Sequence, residues 1–234
     1  MKLDARLNLF VTLVAIFMTC LVVGDLVGGK VTSFELFGHV FPFSVGQIAF
    51  PVTFILTDIL NEFYGRKVVR RVTFLAFGMV SLTFVIVYAS GALPWWPEAT
   101  KPTWGGVKPS QFEAVFTQAT RIQLSSMAAF LIANLVDIAA FFYIKKATGN
   151  RMLWLRATGS TAISQLIDTF LITALAFGNQ LTFEQYISIV LTSYAIKLAA
   201  AIGVTPIIYA LHELIERRYG IPPAPPEAES AEIS

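Results

Sequence analysis

Six long stretches of the chain are almost free of charged side chains. Each is about 20 residues long, the length at which an α-helix crosses the hydrocarbon core of a bilayer. Regular alternation of polar and apolar positions, which would indicate the strands of a membrane barrel, is not seen. The pattern therefore predicts an all-α integral membrane protein with six transmembrane helices and makes strands unexpected. The predicted helices cover residues 7–28, 41–61, 72–92, 122–144, 159–178 and 183–210.

The distribution of lysine and arginine predicts the orientation of these helices, because cytoplasmic loops of membrane proteins are enriched in both. With a cytoplasmic N-terminus, 12 of the 17 basic residues lie in cytoplasmic segments, four lie on the opposite side, and Lys197 lies within the sixth stretch. The bias predicts that both termini are cytoplasmic. The first stretch is longer than the apolar region of a signal peptide, so we predict that it is a retained span.

Composition separates the end of the chain from the rest. Residues 1–212 are predicted to form one six-span domain. Residues 213–234 end in IPPAPPEAESAEIS, which is rich in proline and acidic residues and has few side chains that could form a core. We therefore predict a disordered cytoplasmic tail.

The overall composition agrees with a membrane protein and excludes other classes. Charged residues make up 14% of the chain, against about 25% in an average soluble domain. The net charge of +2 gives no support for a nucleic-acid partner. The single cysteine, Cys20, cannot form an internal disulfide, and it offers no metal-binding motif.

Several polar side chains lie where lipid or a packed apolar core is expected. Three acid–amide pairs are separated by three positions, so each pair lies on one helix face. We expect Lys197 to pair with Asp168 or Asp137. We predict that the three pairs and Lys197 together face the protein interior and bind substrate. Hydrogen bonding between helices is the alternative role. The set is Asp58, Asn61, Asn134, Asp137, Gln165, Asp168 and Lys197.

Two further expectations concern Glu62 and the symmetry of the two halves of the chain. Glu62 has Arg66 four residues later and is expected to pair with it at the membrane boundary. The middle spans of the two halves carry Asp58 and Asp168, as an inverted three-plus-three repeat would. Pro51 and Pro206 are the candidate helix interruptions in such an architecture.

The segments FPVTFILTDILNEFYGRKVVRR (50–71) and WLRATGSTAISQLIDTF (154–170) resemble the queuosine precursor transporter family, also called the vitamin-uptake-transporter-like family. NLVDI (134–138) and the six-span size fit it too, and the resemblance covers most of residues 10–210. It implies a multi-pass protein of the bacterial inner membrane that imports 7-cyano- and 7-aminomethyl-7-deazaguanine, without enzymatic activity or cofactor. The PWWP loop (94–97) and the proline-rich tail depart from the family pattern but lie outside these motifs.

A guanine-like base fits the polar set chemically. One carboxylate can accept hydrogen bonds from the ring N–H and the neighbouring amino group in parallel. The carbonyl oxygen of the base needs a donor, for which Asn134, Gln165 and Lys197 are candidates. Phe54, Phe63 and Tyr194 are the candidate aromatic walls.

The mode of transport stays open at the level of the sequence. No Walker-type phosphate-binding motif occurs, which favours a secondary transporter over an ATPase. The alternative transporter is the substrate-binding subunit of an energy-coupling-factor system. An intramembrane enzyme with paired aspartates is a third possibility, but GxGD and HExxH motifs are absent, and His39 and His212 are expected outside the spans and unpaired. A homodimer is the default expectation for the assembly.

Overall fold

The fold is a bundle of long helices with one small hairpin. The computed structural model describes residues 4–28, 30–36, 38–116, 120–149, 151–178 and 181–225. Five helices in this part of the chain are long and apolar enough to cross a membrane. The helices are α1 (Ala5–Val27), α2 (Phe50–Ala92), α3 (Pro109–Phe116), α4 (Thr120–Thr148), α5 (Leu153–Phe177) and α6 (Phe183–Tyr219).

Helix α2 contains the second and third predicted spans in one continuous element. Its 43 residues would extend about 65 Å as a straight helix, roughly twice the hydrocarbon thickness. The helix is interrupted at Gly65, whose φ of 78° and ψ of 168° are not helical. A residue without a Cβ adopts this backbone most readily. The interruption separates residues 50–64 from residues 66–92. It therefore does not coincide with Pro51 or Pro206, the two positions at which a helix interruption was expected.

The connection between α1 and α2 corrects two predictions. Strand β1 (Val31–Leu36) pairs antiparallel with β2 (His39–Ser44), so strands do occur. A 3₁₀ turn (Val45–Ala49) follows, and the helix begins at Phe50 rather than at residue 41. The hairpin was missed because each strand has only six residues, shorter than the strands of a membrane barrel.

Helix packing places α5 between α4 and α6, while α2 contacts α1, α4 and α6. Two apolar clusters lie between these helices. One includes Ile59, Phe63, Phe141 and Ile208, and the other includes Phe17 and Leu60 with their neighbours. Many large apolar side chains are instead exposed on the outer faces of the helices, which is the distribution expected where lipid surrounds the bundle.

The end of the described chain is folded onto the bundle. Helix α6 continues to Tyr219, beyond the predicted boundary at residue 213. Ile221 is buried in the first apolar cluster, and the backbone N–H of Ala224 donates to the carbonyl oxygen of Glu62 at 2.8 Å. Helix α6 and the residues that follow it therefore continue beyond the predicted boundary up to residue 225. Residues 226–234 lie outside the described part, and the division into a domain and a disordered tail stays a prediction.

Candidate functional site

One face of α5 carries polar side chains through the interior of the bundle. Arg156, Ser160, Ser164 and Asp168 are spaced by four residues, so they lie on the same side of the helix. Twelve residues of helix correspond to about 18 Å, more than half the hydrocarbon thickness. Side chains of α2, α4 and α6 face these residues, and we call the whole arrangement the polar axis. It has an inner level at Arg156, a central level at Ser160 and Ser164, and an outer level at Asp168.

The inner level is centred on the carboxylate of Glu62, which is fully buried. Arg156 Nη2 donates to Glu62 Oε1 at 2.6 Å, and Lys145 Nζ lies 3.3 Å from Oε2. His212 Nε2 is 3.5 Å from Oε1. Lys145 Nζ also donates to the backbone carbonyl of Glu62 at 3.2 Å. Basic side chains from α4, α5 and α6 therefore converge on one acid of α2, and their attraction offsets the desolvation of the charges.

This arrangement corrects the expectation that Glu62 pairs with Arg66. The guanidinium of Arg66 lies over the ring of Phe142 instead, with its Cζ 5.1 Å from the ring centroid. Arg156 and Lys145, which the charge distribution placed in a cytoplasmic loop, are buried within α5 and α4. His212 is likewise part of α6 and is not unpaired.

The central level contains two buried aspartates with different surroundings. Asp137 of α4 accepts a hydrogen bond from Ser164 Oγ at 3.1 Å, and the hydroxyls of Ser160 and Thr161 contribute to its polar surroundings. Asp58 of α2 lies within electrostatic range of the acids Asp137 and Glu62 and of the guanidinium of Arg156.

Asp58 and Asn61 retain unused hydrogen-bonding capacity. Within the described part of the chain, Asp58 Oδ1 and Asn61 Nδ2 are buried and have no hydrogen-bond partner. One is an acceptor and the other a donor, and they lie three residues apart on one face of α2. Buried polar atoms are usually paired, so this neighbouring acceptor and donor are suited to a polar ligand.

The outer level contains an ion pair between α5 and α6. Lys197 Nζ donates to Asp168 Oδ2 at 2.6 Å, which confirms one of the two pairings expected for this lysine. The ammonium also lies 5.0 Å from the centroid of the Phe50 ring. Asp25 of α1 interacts electrostatically with Asp168 and accepts a hydrogen bond from Ser126 Oγ at 3.5 Å. Four helices therefore contribute charged or polar groups at this level.

The two remaining amides of the predicted set are less buried. Asn134 Nδ2 donates to the carbonyl oxygen of Phe130 in its own helix at 3.1 Å, and Gln165 is half-buried. Of the candidate aromatic walls, Phe54 lines a cavity near Lys197, whereas the Phe63 ring packs 5.1 Å from His212. Tyr194 is half-buried. Substrate binding by the seven predicted residues stays a prediction.

Sequence reasoning missed Arg156 as part of the axis, although its position gave a usable signal. Arg156 continues, at a spacing of four, the series that ends at Asp168. Extending the polar face of α5 by one turn would have placed it inside the bundle. Among the described residues, no group of three or more His, Cys, Asp or Glu side chains could hold a metal ion.

Apolar outer faces around a buried polar axis define a multi-pass membrane protein, in which interior ionisable groups are commonly functional. The chain belongs to the family described as "Putative vitamin uptake transporter", whose model matches residues 44–211. It is 33% identical over 187 residues to the "Probable queuosine precursor transporter" of Bacillus subtilis (strain 168), covering 79% of this chain and 77% of that protein. No solved structure was found to match the chain. The family assignment points to a transporter rather than an enzyme.

Proposed function

We propose that this protein imports the queuosine precursors 7-cyano- and 7-aminomethyl-7-deazaguanine across the bacterial inner membrane as a secondary transporter. The name of the Bacillus relative supports this substrate class, and the family assignment supports a role in uptake. The buried polar axis supports a route for a polar solute through the bundle.

The observation that carries the proposal is the unpartnered acceptor and donor at the central level. A 7-deazaguanine presents a ring N–H and an amino group next to a carbonyl oxygen. Asp58 Oδ1 can accept a hydrogen bond from the donor edge, and Asn61 Nδ2 can donate to the carbonyl. A site that uses both groups strongly disfavours bases lacking that edge, because the buried protein atoms would remain unpaired.

The proposed architecture has six spans, a three-plus-three inverted repeat and cytoplasmic termini. The interruption at Gly65 supports two separate spans within α2. Residues 50–64 and the preceding 3₁₀ turn together measure about 32 Å, close to the hydrocarbon thickness. We place the inner level toward the cytoplasm, because the basic residues that follow Gly65 belong on that side. The assembly is proposed to be a homodimer.

Uptake by cells that depend on external base tests the function. Cells expressing the wild-type chain should accumulate queuosine-modified tRNA when the base is supplied. Asp58→Asn should abolish accumulation while the protein remains at normal levels in the membrane. Asp168→Asn should also abolish it, with a lower membrane level because the substitution removes the ion-pair partner of Lys197. Glu213→Gln is the matched control, because Glu213 pairs with Arg217 on an exposed part of α6. Unchanged tRNA modification with both aspartate variants would contradict the proposed site.

Vesicles containing only the purified chain distinguish a secondary transporter from the energy-coupling-factor alternative. A secondary transporter moves labelled base into these vesicles without ATP or a partner. A substrate-binding subunit binds the base but does not transport it until its partner subunits are added. Release of a chemically altered base would instead indicate an enzyme.

A further inference from the structure

A cavity lies between the start of α2 and helix α6, at the outer end of the polar axis. It has about 100 Å³ of free volume and is partly open to the surroundings. Aromatic side chains of β2 and α2, together with apolar positions of α6, form most of its wall. Lys197 and Gln47 supply its polar groups. Lys197 and Phe54 are among the residues predicted to contact substrate, whereas Gln47 is not.

Gln47 is held in a fixed position by the packing of the 3₁₀ turn against α1. A Cβ atom on Gly46 would overlap the carbonyl oxygen of Gly24, so the two backbones meet at the closest approach that glycine allows. Ser44 Oγ donates to the carbonyl oxygen of Gly28 at 2.6 Å and accepts from the N–H of Gly46 at 3.2 Å. These contacts fix the backbone immediately before Gln47 in the absence of a ligand.

The carboxamide oxygen of Gln47 is buried and has no hydrogen-bond partner within the described residues. A buried acceptor without a donor is uncommon, and a ligand is one way to satisfy it. The other polar wall group, Lys197, already donates to Asp168 and has further N–H groups available. The cavity therefore offers an acceptor from Gln47, a donor from Lys197, and the rings of Phe50 and Phe54 in its wall.

We propose that this cavity is the outer binding subsite for a planar heteroaromatic base. In this subsite the Gln47 carboxamide oxygen accepts one ring or amino N–H, and an aromatic wall stacks on the ring. This inference rests on the proposed function and adds Gln47 as a residue that determines specificity. Phe50, Phe54 and Asp58 are spaced by four on one face of α2, so the subsite lies about one to two helical turns from Asp58 along that face.

Binding measurements on the purified full-length protein test the role of Gln47. Gln47→Met keeps the approximate size of the side chain and removes the acceptor. It should weaken binding of 7-cyano-7-deazaguanine about tenfold, as expected for the loss of one buried hydrogen bond. Gln111→Met is the control, since Gln111 is exposed in α3 and should leave affinity unchanged. Gln47→Asn shortens the side chain by one methylene, which moves the acceptor away from the cavity and should also weaken binding. This variant tests the role of the Gln47 oxygen if Gln47→Met does not fold.

Analogues of the base that lack one N–H donor identify which atom of the base contacts Gln47. Three bases are compared, each lacking one of the N–H donors at N1, at the exocyclic amine or at the pyrrole nitrogen. For one of them the wild-type protein and Gln47→Met should bind equally, because the hydrogen bond is already absent. Equal affinity of wild type, Gln47→Met and Gln47→Asn for the parent base would overturn the subsite and leave the proposed function standing. Failure of the wild-type protein to bind or transport any of these bases would overturn the proposed function itself.

Discussion

Asp58 and Glu62 are two buried acids one turn apart on α2, and they differ in their contacts with cations. The Glu62 carboxylate contacts an arginine, a lysine and a histidine from three other helices. Among the described residues, Asp58 Oδ1 and Glu62 Oε2 both lack a hydrogen-bond partner, but Glu62 Oε2 lies 3.3 Å from Lys145 Nζ. Asp58 lies within electrostatic range of Asp137, Glu62 and Arg156 but forms no ion pair in the described part of the chain. The difference teaches that burial alone does not identify a ligand-binding acid. A carboxylate in contact with several cations joins helices, whereas one without such a contact is available to a solute.

The largest effect on stability is expected at the inner level. Arg156→Ala removes the closest partner of Glu62 and leaves a buried charge incompletely paired. We expect a loss of about 3–5 kcal/mol in the free energy of unfolding, seen as a strong fall in membrane levels and in thermal stability. The exposed Arg217→Ala is the control, since its salt bridge with Glu213 lies at the surface. A normally folded Arg156→Ala would show that the cluster does not join the helices.

The next effect is expected at Gly65, which separates the two parts of α2. Gly65→Ala places a Cβ on a backbone with φ of 78° and should cost about 1–3 kcal/mol. The thermal unfolding of the purified variant gives this value. Gly78→Ala is the matched control, because Gly78 lies inside α2 and a Cβ added there would meet no atom within 4 Å other than the local helix backbone. Equal stability of the two variants would mean that the chain relaxes into an uninterrupted helix.

A smaller effect is expected at Ser164, which bonds Asp137 at the central level. Ser164→Ala removes one hydrogen bond and should cost about 1 kcal/mol. The hydroxyls of Ser160 and Thr161 remain in the polar surroundings of Asp137, so the variant should remain folded. A much larger loss of thermal stability would place Ser164 with the inner cluster rather than with the central level.

The smallest effect on stability is expected for Asp58→Asn. The unpaired Oδ1 loses no hydrogen bond on substitution, and a buried charge near two other acids is removed. The free energy of unfolding should change by less than about 1 kcal/mol, although uptake is lost. This pairing of normal stability with absent uptake separates Asp58 from the inner level. A collapse of the protein would instead assign Asp58 a structural role.

Apolar patterning predicted the helices well because lipid-exposed and buried faces are both apolar over whole turns. The buried positions of Asp58, Asn61 and Asp137 could also be predicted, since polar residues in apolar stretches face the interior. The ion pair of Lys197 with Asp168 followed from the need to neutralise a buried ammonium.

Other features depend on contacts that are distant in the sequence or on backbone geometry. The bond between Glu62 and Arg156 joins positions 94 residues apart, and local spacing favoured the nearer Arg66. The interruption of α2 depends on the backbone angles of one glycine, which no apolar pattern encodes. The hairpin between α1 and α2 is too short to produce a strong alternation signal.

The hydrogen bond from Ala224 to the Glu62 carbonyl provides a position for a spectroscopic reporter. Cys20 is the single cysteine of the chain, so Cys20→Ser followed by Ala224→Cys creates one labelling position beside the inner cluster. A fluorophore there senses whether residues 220–225 leave the bundle when base is added. The same contact is a practical guide for handling the protein. The chain should not be shortened to residue 220, because this would remove Ile221 from the core. An affinity tag should be attached beyond residue 225, with a spacer.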